Sequence, residues 1–344
     1  MKVLFIIQGE GRGHLSQAIA LKEILLKHNF EVVCSMIGKS QYRQIPQNFI
    51  DNFDNVIFFN SPNFIQDKNN KHYLIWRSII INFFKIPKYL KEINKIKKNI
   101  RKYDPDIIIN FYEPLVGLMN LIYPIKKIKI ISIAHQFLYN HPLYTFPKHK
   151  FTDIMFIKIL NFFCGYGSYL KLAISFMPYY DYNKTYVIPP LLRNNIINQK
   201  HKVTSQDYIL IYLLNKGYIN DILNWHHQNP NIKIVCFTDE DNNNDEVNLT
   251  ESFKKCRINS NSFIEYLIKC KALISTAGYE TLAEAMYLNK QTLAIPVENH
   301  FEQKCNAFDL IKINGGITST FFDIDKLLNI IDKKNTTNIE YSNW

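Results

Sequence analysis

Short apolar runs alternate with amphipathic helical stretches along almost the whole chain, and the series occurs twice. The first series predicts strands at residues 3–8, 31–36, 55–60, 106–111, 129–134, 171–177 and 185–188. Between the first two, Leu15, Ile19, Leu21, Leu25 and Leu26 suit a helix packed on one side. The second series predicts strands at residues 208–214, 232–237, 272–275 and 291–295. Such alternation argues for βα units and a parallel sheet in each half. Pro189–Pro190 closes the first series, and residues 191–204 have no strand period. The expected organisation is therefore a domain at 1–188, a linker at 189–204 and a second domain at 205–344, and 344 residues suffice for two ordinary domains.

Composition narrows the class. The chain is 47% apolar and 21% charged, which excludes disorder and collagen-like repeats. Six cysteines are scattered without a CxxC pair, so neither a zinc site nor a disulfide framework is expected, and a reducing compartment is. The apolar stretches at 73–84 and 151–180 are too short, or too interrupted by charge, to span a bilayer. A cytoplasmic protein is expected.

Charge is uneven. Residues 1–188 carry 25 Lys and Arg against 12 Asp and Glu, whereas residues 189–344 carry 16 against 18. The positive excess is spread over many elements and no reader motif accompanies it, so no nucleic-acid partner is expected. At 85–102, Ile86, Leu90, Ile93, Ile96 and Ile100 form the expected buried stripe of a lysine-rich helix. That basic helix beside an apolar segment suits either a solvated face or a peripheral contact with an anionic membrane surface. Residues 239–245 read as an acidic loop, and the tail after Lys333 as a fraying end.

Two clusters carry chemistry. The first strand runs into Gly9-Glu-Gly11-Arg-Gly13-His14, followed at once by a helix. Glycines there allow close approach of backbone N–H groups, and a helix N-terminus favours an anion. A dinucleotide site would need a third glycine where His14 stands and an acidic residue ending the second strand. The functional reading places an imidazole at the mouth of the crevice; the alternative is a plain tight turn. The second cluster follows residues 272–275, where Ala277-Gly278-Tyr279-Glu280-Thr281 opens a helix that carries Glu284 one turn in. Small residues and a hydroxyl at the turn make a phosphate cradle, and the carboxylate can accept both hydroxyls of a ribose. A polar loop then runs through Pro296, Glu298, Glu302 and Gln303 to Asn306. His135–Gln136 and Glu113 also stand at strand ends, where a strand-end histidine or a plain loop carboxylate is the alternative. His226–His227 reads as a helix end without a metal pattern.

These motifs together resemble a family. Gly11-x-Gly13-His14, Pro189-Pro190-Leu-Leu-Arg193, Ser275-Thr-Ala-Gly278-x-x-Thr281-x-x-Glu284 and Pro296…Glu302-Gln303-x-x-Asn306-Ala307 look like the GT-B glycosyltransferases that use nucleotide-diphosphate sugars. Within them the chain is most similar to the lipid-linked N-acetylglucosaminyltransferases of peptidoglycan synthesis and their relatives. The resemblance implies two Rossmann-like α/β domains facing across a cleft. It implies a nucleotide-sugar site built by Arg193, Phe263, Ala277, Gly278, Thr281, Glu284, Glu302 and Gln303, with a UDP-sugar as donor and no cofactor or metal. It further implies an acceptor side with Gly11, Gly13 and Gln136, an acceptor of lipid-linked type, and attachment to the inner face of a membrane. The nearest group has two glutamines where this chain has Glu302–Gln303, which leaves the donor sugar open.

The expected reaction is sugar transfer to an acceptor hydroxyl with inversion and without a metal. A near-neutral histidine suits removal of the acceptor proton, so His14 is the expected base, with His135 and Glu113 as the other catalytic candidates. A nucleotide-sugar epimerase of the same architecture is the alternative.

Overall fold

The structure is a computed structural model that describes residues 1–40, 44–63, 75–213, 216–239, 246–258, 260–331, 341, 343 and 344. Residues 73–74 of the expected apolar segment, 240–245 of the expected acidic loop and 334–340 and 342 of the expected frayed tail lie outside the described residues. The described residues form two compact units, one ending at Arg193 and one beginning at Asn194.

The first unit opens with β1 (Lys2–Gln8), α1 (Gly13–Lys27), β2 (Glu31–Lys39), α2 (Gln47–Ile50) and β3 (Val56–Asn60). It continues with α3 (Ile75–Phe84), α4 (Ile86–Tyr103), β4 (Ile107–Phe111) and α5 (Pro114–Ile122). It closes with β5 (Lys129–Ala134), a 3₁₀ turn at His135–Asn140, α6 (Phe151–Gly165), β6 (Leu170–Ile174) and β7 (Thr185–Ile188). The seven strands pair in the order β3-β2-β1-β4-β5-β6-β7, all parallel. Val3–Ile7 are fully buried, as a central parallel strand covered on both faces requires. From β1 the chain builds outward to β2 and β3, then returns to place β4 on the other flank. The switch point therefore lies at the carboxyl ends of β1 and β4, where such sheets open a ligand crevice.

Two helices differ from expectation. On α4 the buried stripe is Tyr89, Ile93, Ile96 and Ile100, while Ile86 and Leu90 are 41% and 40% exposed. Tyr89, at helical spacing from Ile93 and Ile96, takes the inward place, and Ile86 and Leu90 fall outside that stripe. On α1 burial is concentrated in Leu15–Ala20, and Leu26 is exposed.

The second unit begins with α7 (Asn194–Ile197), a 3₁₀ turn at Lys200–Lys202, β8 (Ile209–Leu213), another turn at Lys216–Tyr218 and α8 (Ile219–Gln228). There follow β9 (Ile234–Thr238), β10 (Glu246–Asn248), β11 (Phe253–Arg257) and α9 (Ser260–Lys269). Then come β12 (Ala272–Ser275), α10 (Tyr279–Tyr287), β13 (Gln291–Ala294), α11 (Phe301–Lys312), β14 (Ile317–Thr318) and α12 (Ile324–Ile331). The order is β10-β11-β9-β8-β12-β13-β14, parallel except for β10 against β11. Its switch point lies between β8 and β12. Residues 194–204 are part of this unit, because Ile196 is fully buried in its core beside Leu210 and Leu273. The six cysteines are all buried and unbridged. No described helix is long and apolar enough to cross a membrane.

Candidate functional site

In the first unit the switch point is occupied by the turn from β1 into α1. Gly9 N–H donates to Gly38 O at 2.7 Å, stitching the turn to the end of β2. The Gln8 side-chain oxygen accepts from Glu10 N at 3.1 Å and Gly11 N at 3.5 Å, so these two N–H groups already have an intramolecular acceptor. No side chain caps the N-terminus of α1, and a Cβ placed on Gly11 would meet only open space. The turn thus leaves room above Gly11 and an uncapped helix start at Gly13, a fit for an anion.

His14 stands in the first turn of α1. Its Nδ1 lies 3.1 Å from Gln17 Oε1, and since that oxygen only accepts, Nδ1 carries the proton. Nε2 is then the nitrogen with the lone pair. The ring stacks on Tyr112 with centroids 5.6 Å apart. Burial lowers the His14 pKa to about 4, against the raising effect of the Gln17 bond, so the imidazole is neutral at neutral pH.

Tyr112 follows β4 with φ 57°, a left-handed conformation that a bulky residue adopts only when its surroundings fix it. Its hydroxyl donates to Asn161 Oδ1 at 2.6 Å, and its ring meets Phe137 edge-on. Glu113 comes next and caps α5, accepting from Leu115 N at 3.1 Å and from Ser61 Oγ at 2.8 Å. The carboxylate is fully buried beneath Gly38, where a Cβ would overlap it. Burial pushes the Glu113 pKa up to about 8, against those hydrogen bonds. Its side-chain partners are a serine and a backbone amide, not a histidine.

His135 and Gln136 begin the 3₁₀ turn after β5, and both are buried. The His135 ring meets Tyr139 edge-on at 5.8 Å. Gln136 O accepts from Asn161 Nδ2 at 2.7 Å, while its buried Oε1 has no partner among the described residues. An unsatisfied buried amide at a strand end is a group shaped for a ligand contact.

In the second unit the corresponding turn links β12 to α10. Ala277 has φ 54°, and Asn306 Nδ2 donates to Ala277 O at 3.0 Å, holding this left-handed residue from α11. Gly278 is the N-cap of α10, without a side-chain cap bond. A Cβ on Gly278 would meet only Thr281 Oγ1, at 3.9 Å. Gly278 and Thr281 are half-exposed at the helix start, and Glu284 lies one turn deeper and buried. The elements of a diphosphate cradle are therefore together: an open glycine, an uncapped helix start and a hydroxyl.

The β13–α11 loop is self-bound. Gln303 Oε1 accepts from Val297 N at 2.8 Å, so this oxygen braces the loop and leaves the amide nitrogen for any sugar contact. Glu302 is half-buried at the start of α11. His300 caps that helix, its Nδ1 accepting from Gln303 N at 3.3 Å, and burial lowers its pKa to about 4. Arg193 is buried at the end of the first unit. Phe263 is a correction: its ring is 4% exposed and packs against Tyr212 and Phe237 at 4.7 and 5.6 Å, so it belongs to the core and does not line a base. Gln17, Tyr112 and Asn161 are contributors absent from the sequence expectation. Of these only Gln17, three residues after His14 on one helix, has a spacing visible in the sequence.

The profile of glycosyl transferase family 1 matches residues 1–332. A UDP-N-acetylglucosamine--N-acetylmuramyl-(pentapeptide) pyrophosphoryl-undecaprenol N-acetylglucosamine transferase of Pelagibacter ubique is 26% identical over 213 residues. That match spans 53% of this chain and 57% of the relative, little more than half its length. Among solved structures, the glycotransferase of kitacinnamycin is similar with TM-score 0.62 and 10% identity, covering 99% of this chain and 93% of that one. UGT89C1 of Arabidopsis thaliana complexed with UDP gives TM-score 0.61 at 12% identity, covering 99% and 93%. The spinosyn rhamnosyltransferase SpnG complexed with thymidine diphosphate gives TM-score 0.59 at 12% identity, covering 100% and 95%. At these identities the likeness carries the fold, which is GT-B.

Proposed function

The chain belongs to glycosyl transferase family 1, and from that premise we propose that it moves a sugar from a nucleotide-diphosphate donor to an acceptor hydroxyl, with inversion and without a metal ion. The observation that carries the donor side is the turn at Ala277–Gly278, open at Gly278, with Thr281 beside it and Glu284 one turn on. In this reading the second unit holds a UDP-sugar. The α10 N-terminus and Thr281 take the diphosphate, Glu284 takes the ribose hydroxyls, and Glu302 with the Gln303 amide takes the sugar.

The chemistry is a single displacement. The acceptor oxygen attacks the anomeric carbon, its proton passes to Nε2 of His14, and the bond to the diphosphate breaks with its electron pair leaving on the diphosphate. One attack from the far face inverts the anomeric centre. The charge gathering on the leaving group is met by the helix dipole of α10 and by Arg193, a role a metal fills in other transferases. His14 suits the base because burial keeps it neutral and its bond to Gln17 fixes the tautomer. An anionic substrate bound beside it raises its pKa toward the working pH. Glu113 is a buried helix cap and supports the turn that carries Tyr112. Gln136, with its unsatisfied oxygen, and Gly11 belong to the acceptor side.

The acceptor we propose is lipid-linked and met at an anionic membrane surface. Phe83 and Phe84 at the end of α3 are 65% and 76% exposed, and exposed Lys88, Lys91 and Lys98 follow on α4. Lys95 and Lys97 serve the fold instead, donating to Phe58 O and sitting over the Tyr123 ring. Co-sedimentation with anionic vesicles that fades with salt and in Lys88→Gln/Lys91→Gln/Lys98→Gln supports this; indifference to lipid charge contradicts it.

The transfer itself is tested with a panel of nucleotide sugars. A true donor raises the melting temperature by mass action and, with acceptor present, releases nucleoside diphosphate. No shift with any nucleotide sugar would remove the reading.

A further inference from the structure

Residues 151–188 contain three lysines, Lys158, Lys171 and Lys184, and all three line a single pocket of the first unit. They arrive from different elements: Lys158 from α6, Lys171 from β6, and Lys184 from the turn leading into β7. The pocket opens to solvent and offers about 390 Å³, and Asn161, Asn183 and Ser168 also line it. No carboxylate lines it. The two acidic residues of the same stretch are engaged elsewhere, Asp153 accepting from Lys150 N and Asp181 from Val187 N. None of the three ammonium groups pairs with an acidic side chain among the described residues.

The walls are fixed. Tyr182 and Thr185 exchange backbone hydrogen bonds of 2.9 and 2.8 Å around Asn183 and Lys184, which have φ of 47° and 56°. That is a two-residue type I′ turn, and it holds the base of Lys184 in place. Asn161 is buried with both ends engaged, by Tyr112 and by Gln136. Lys171 is half-buried, and burial disfavours its charged form.

Three lysines thus border one pocket with neither a salt bridge nor a lining carboxylate among the described residues, Lys171 half-buried and Lys158 and Lys184 exposed. A dianion seated there is met by ammonium groups from three different elements. The pocket volume has room for a phosphate and part of the group that carries it. β6 is three strand spacings from β1, roughly 14 Å, so Lys171 stands apart from the turn that bears His14, while Asn161 of the pocket wall is bonded to Tyr112. We propose that this pocket is a second anion site, distinct from the donor and acceptor sites, which binds a phosphate monoester belonging to a soluble metabolite or to a lipid headgroup.

The test uses the full chain and inorganic phosphate, read by amide NMR shifts. Phosphate should move the Ser168, Lys171 and Lys184 amides with half-saturation of about 1 mM, the range for a small ligand held by few contacts. Lys158→Gln/Lys171→Gln/Lys184→Gln should need at least about tenfold more phosphate, the equivalent of 1.4 kcal/mol. Its thermal midpoint without phosphate should stay close to the parent's, because none of the three ammonium groups makes an ion pair among the described residues. Vesicles of phosphatidylcholine with phosphatidic acid, whose headgroup is a phosphate monoester, separate the sources. Sedimentation lost in the triple variant and competed by phosphate assigns the lipid; equal sedimentation of both proteins, with the amide shifts retained, assigns the metabolite. Unmoved amides, or a folded triple variant that binds phosphate as tightly as the parent, would overturn the proposal.

Discussion

The imidazole of His14 lies over the ring of Tyr112, with planes 29° from parallel, and Tyr112 is itself anchored by its hydroxyl on Asn161. A base at the start of a helix is thus steadied by a residue from the next strand. His14→Ala should lower turnover by ~10²–10⁴-fold, the usual contribution of a positioned acid or base, with donor binding kept. Gln17→Ala should lower it less, because the tautomer loses its partner but the stack remains. Steady-state kinetics on both variants check this, and near-normal turnover in His14→Ala would transfer the role of base to His135.

The pH profile follows from the same environment. Burial depresses the His14 pKa to about 4, so the neutral form persists down to that pH in the unliganded enzyme. The acid limb of kcat/KM, which reports free enzyme, should fall near pH 4 and not near 6.5. Bound anionic substrate raises the pKa, so the acid limb of kcat should lie higher. A kcat/KM limb near 6.5 would mean a solvated imidazole.

Glu113 titrates in the opposite sense. Its folded pKa is raised to about 8, above the unfolded value of 4.5, so its contribution to stability is complete below the unfolded value and is lost as pH rises toward 8. Urea midpoints should therefore fall between pH 5 and pH 8 in the wild type and change less in Glu113→Gln. Glu113→Ala should destabilise by about 1–2 kcal/mol or more at pH 5, because the cap of α5 and the Ser61 bond disappear together.

Asn306 offers a test of the donor turn without touching a ligand. Its amide holds Ala277 O, and Ala277 has a positive φ. Asn306→Ala should weaken nucleoside diphosphate binding by about 1 kcal/mol, the ordinary worth of one hydrogen bond, as the turn loses its brace. Fluorescence or calorimetric titration measures it. Unchanged affinity would show that the turn stands without α11.

How much of this the sequence carried depends on where each residue lies. β1, β8 and β12 are central parallel strands, buried on both faces, and they read as continuous apolar runs. β10 and β11 do not, because Lys254, Lys255 and Arg257 occupy an edge ribbon whose pairing decides its conformation. The Gly278, Thr281 and Glu284 spacing is legible because one helix start sets it. Phe263 misleads because its burial depends on Tyr212 and Phe237, contributed by β8 and β9. Tyr112 is far from His14 in the chain, and only the pairing of β1 with β4 brings them together. The choice of Tyr89 over Leu90 depends on how α4 is rotated against the sheet, which the period of the isoleucines alone does not fix.

The donor site is the centre of the account, and calorimetric titration of UDP into three proteins tests it most directly. The wild type and His14→Ala should bind UDP one-to-one with the same affinity, because the base takes no part in holding the nucleotide. Glu284→Ala should bind more weakly by ~1.5–3 kcal/mol, the range for hydrogen bonds to a charged group. Equal affinity in the wild type and a folded Glu284→Ala, or loss of binding in His14→Ala alone, would contradict a donor site at the start of α10.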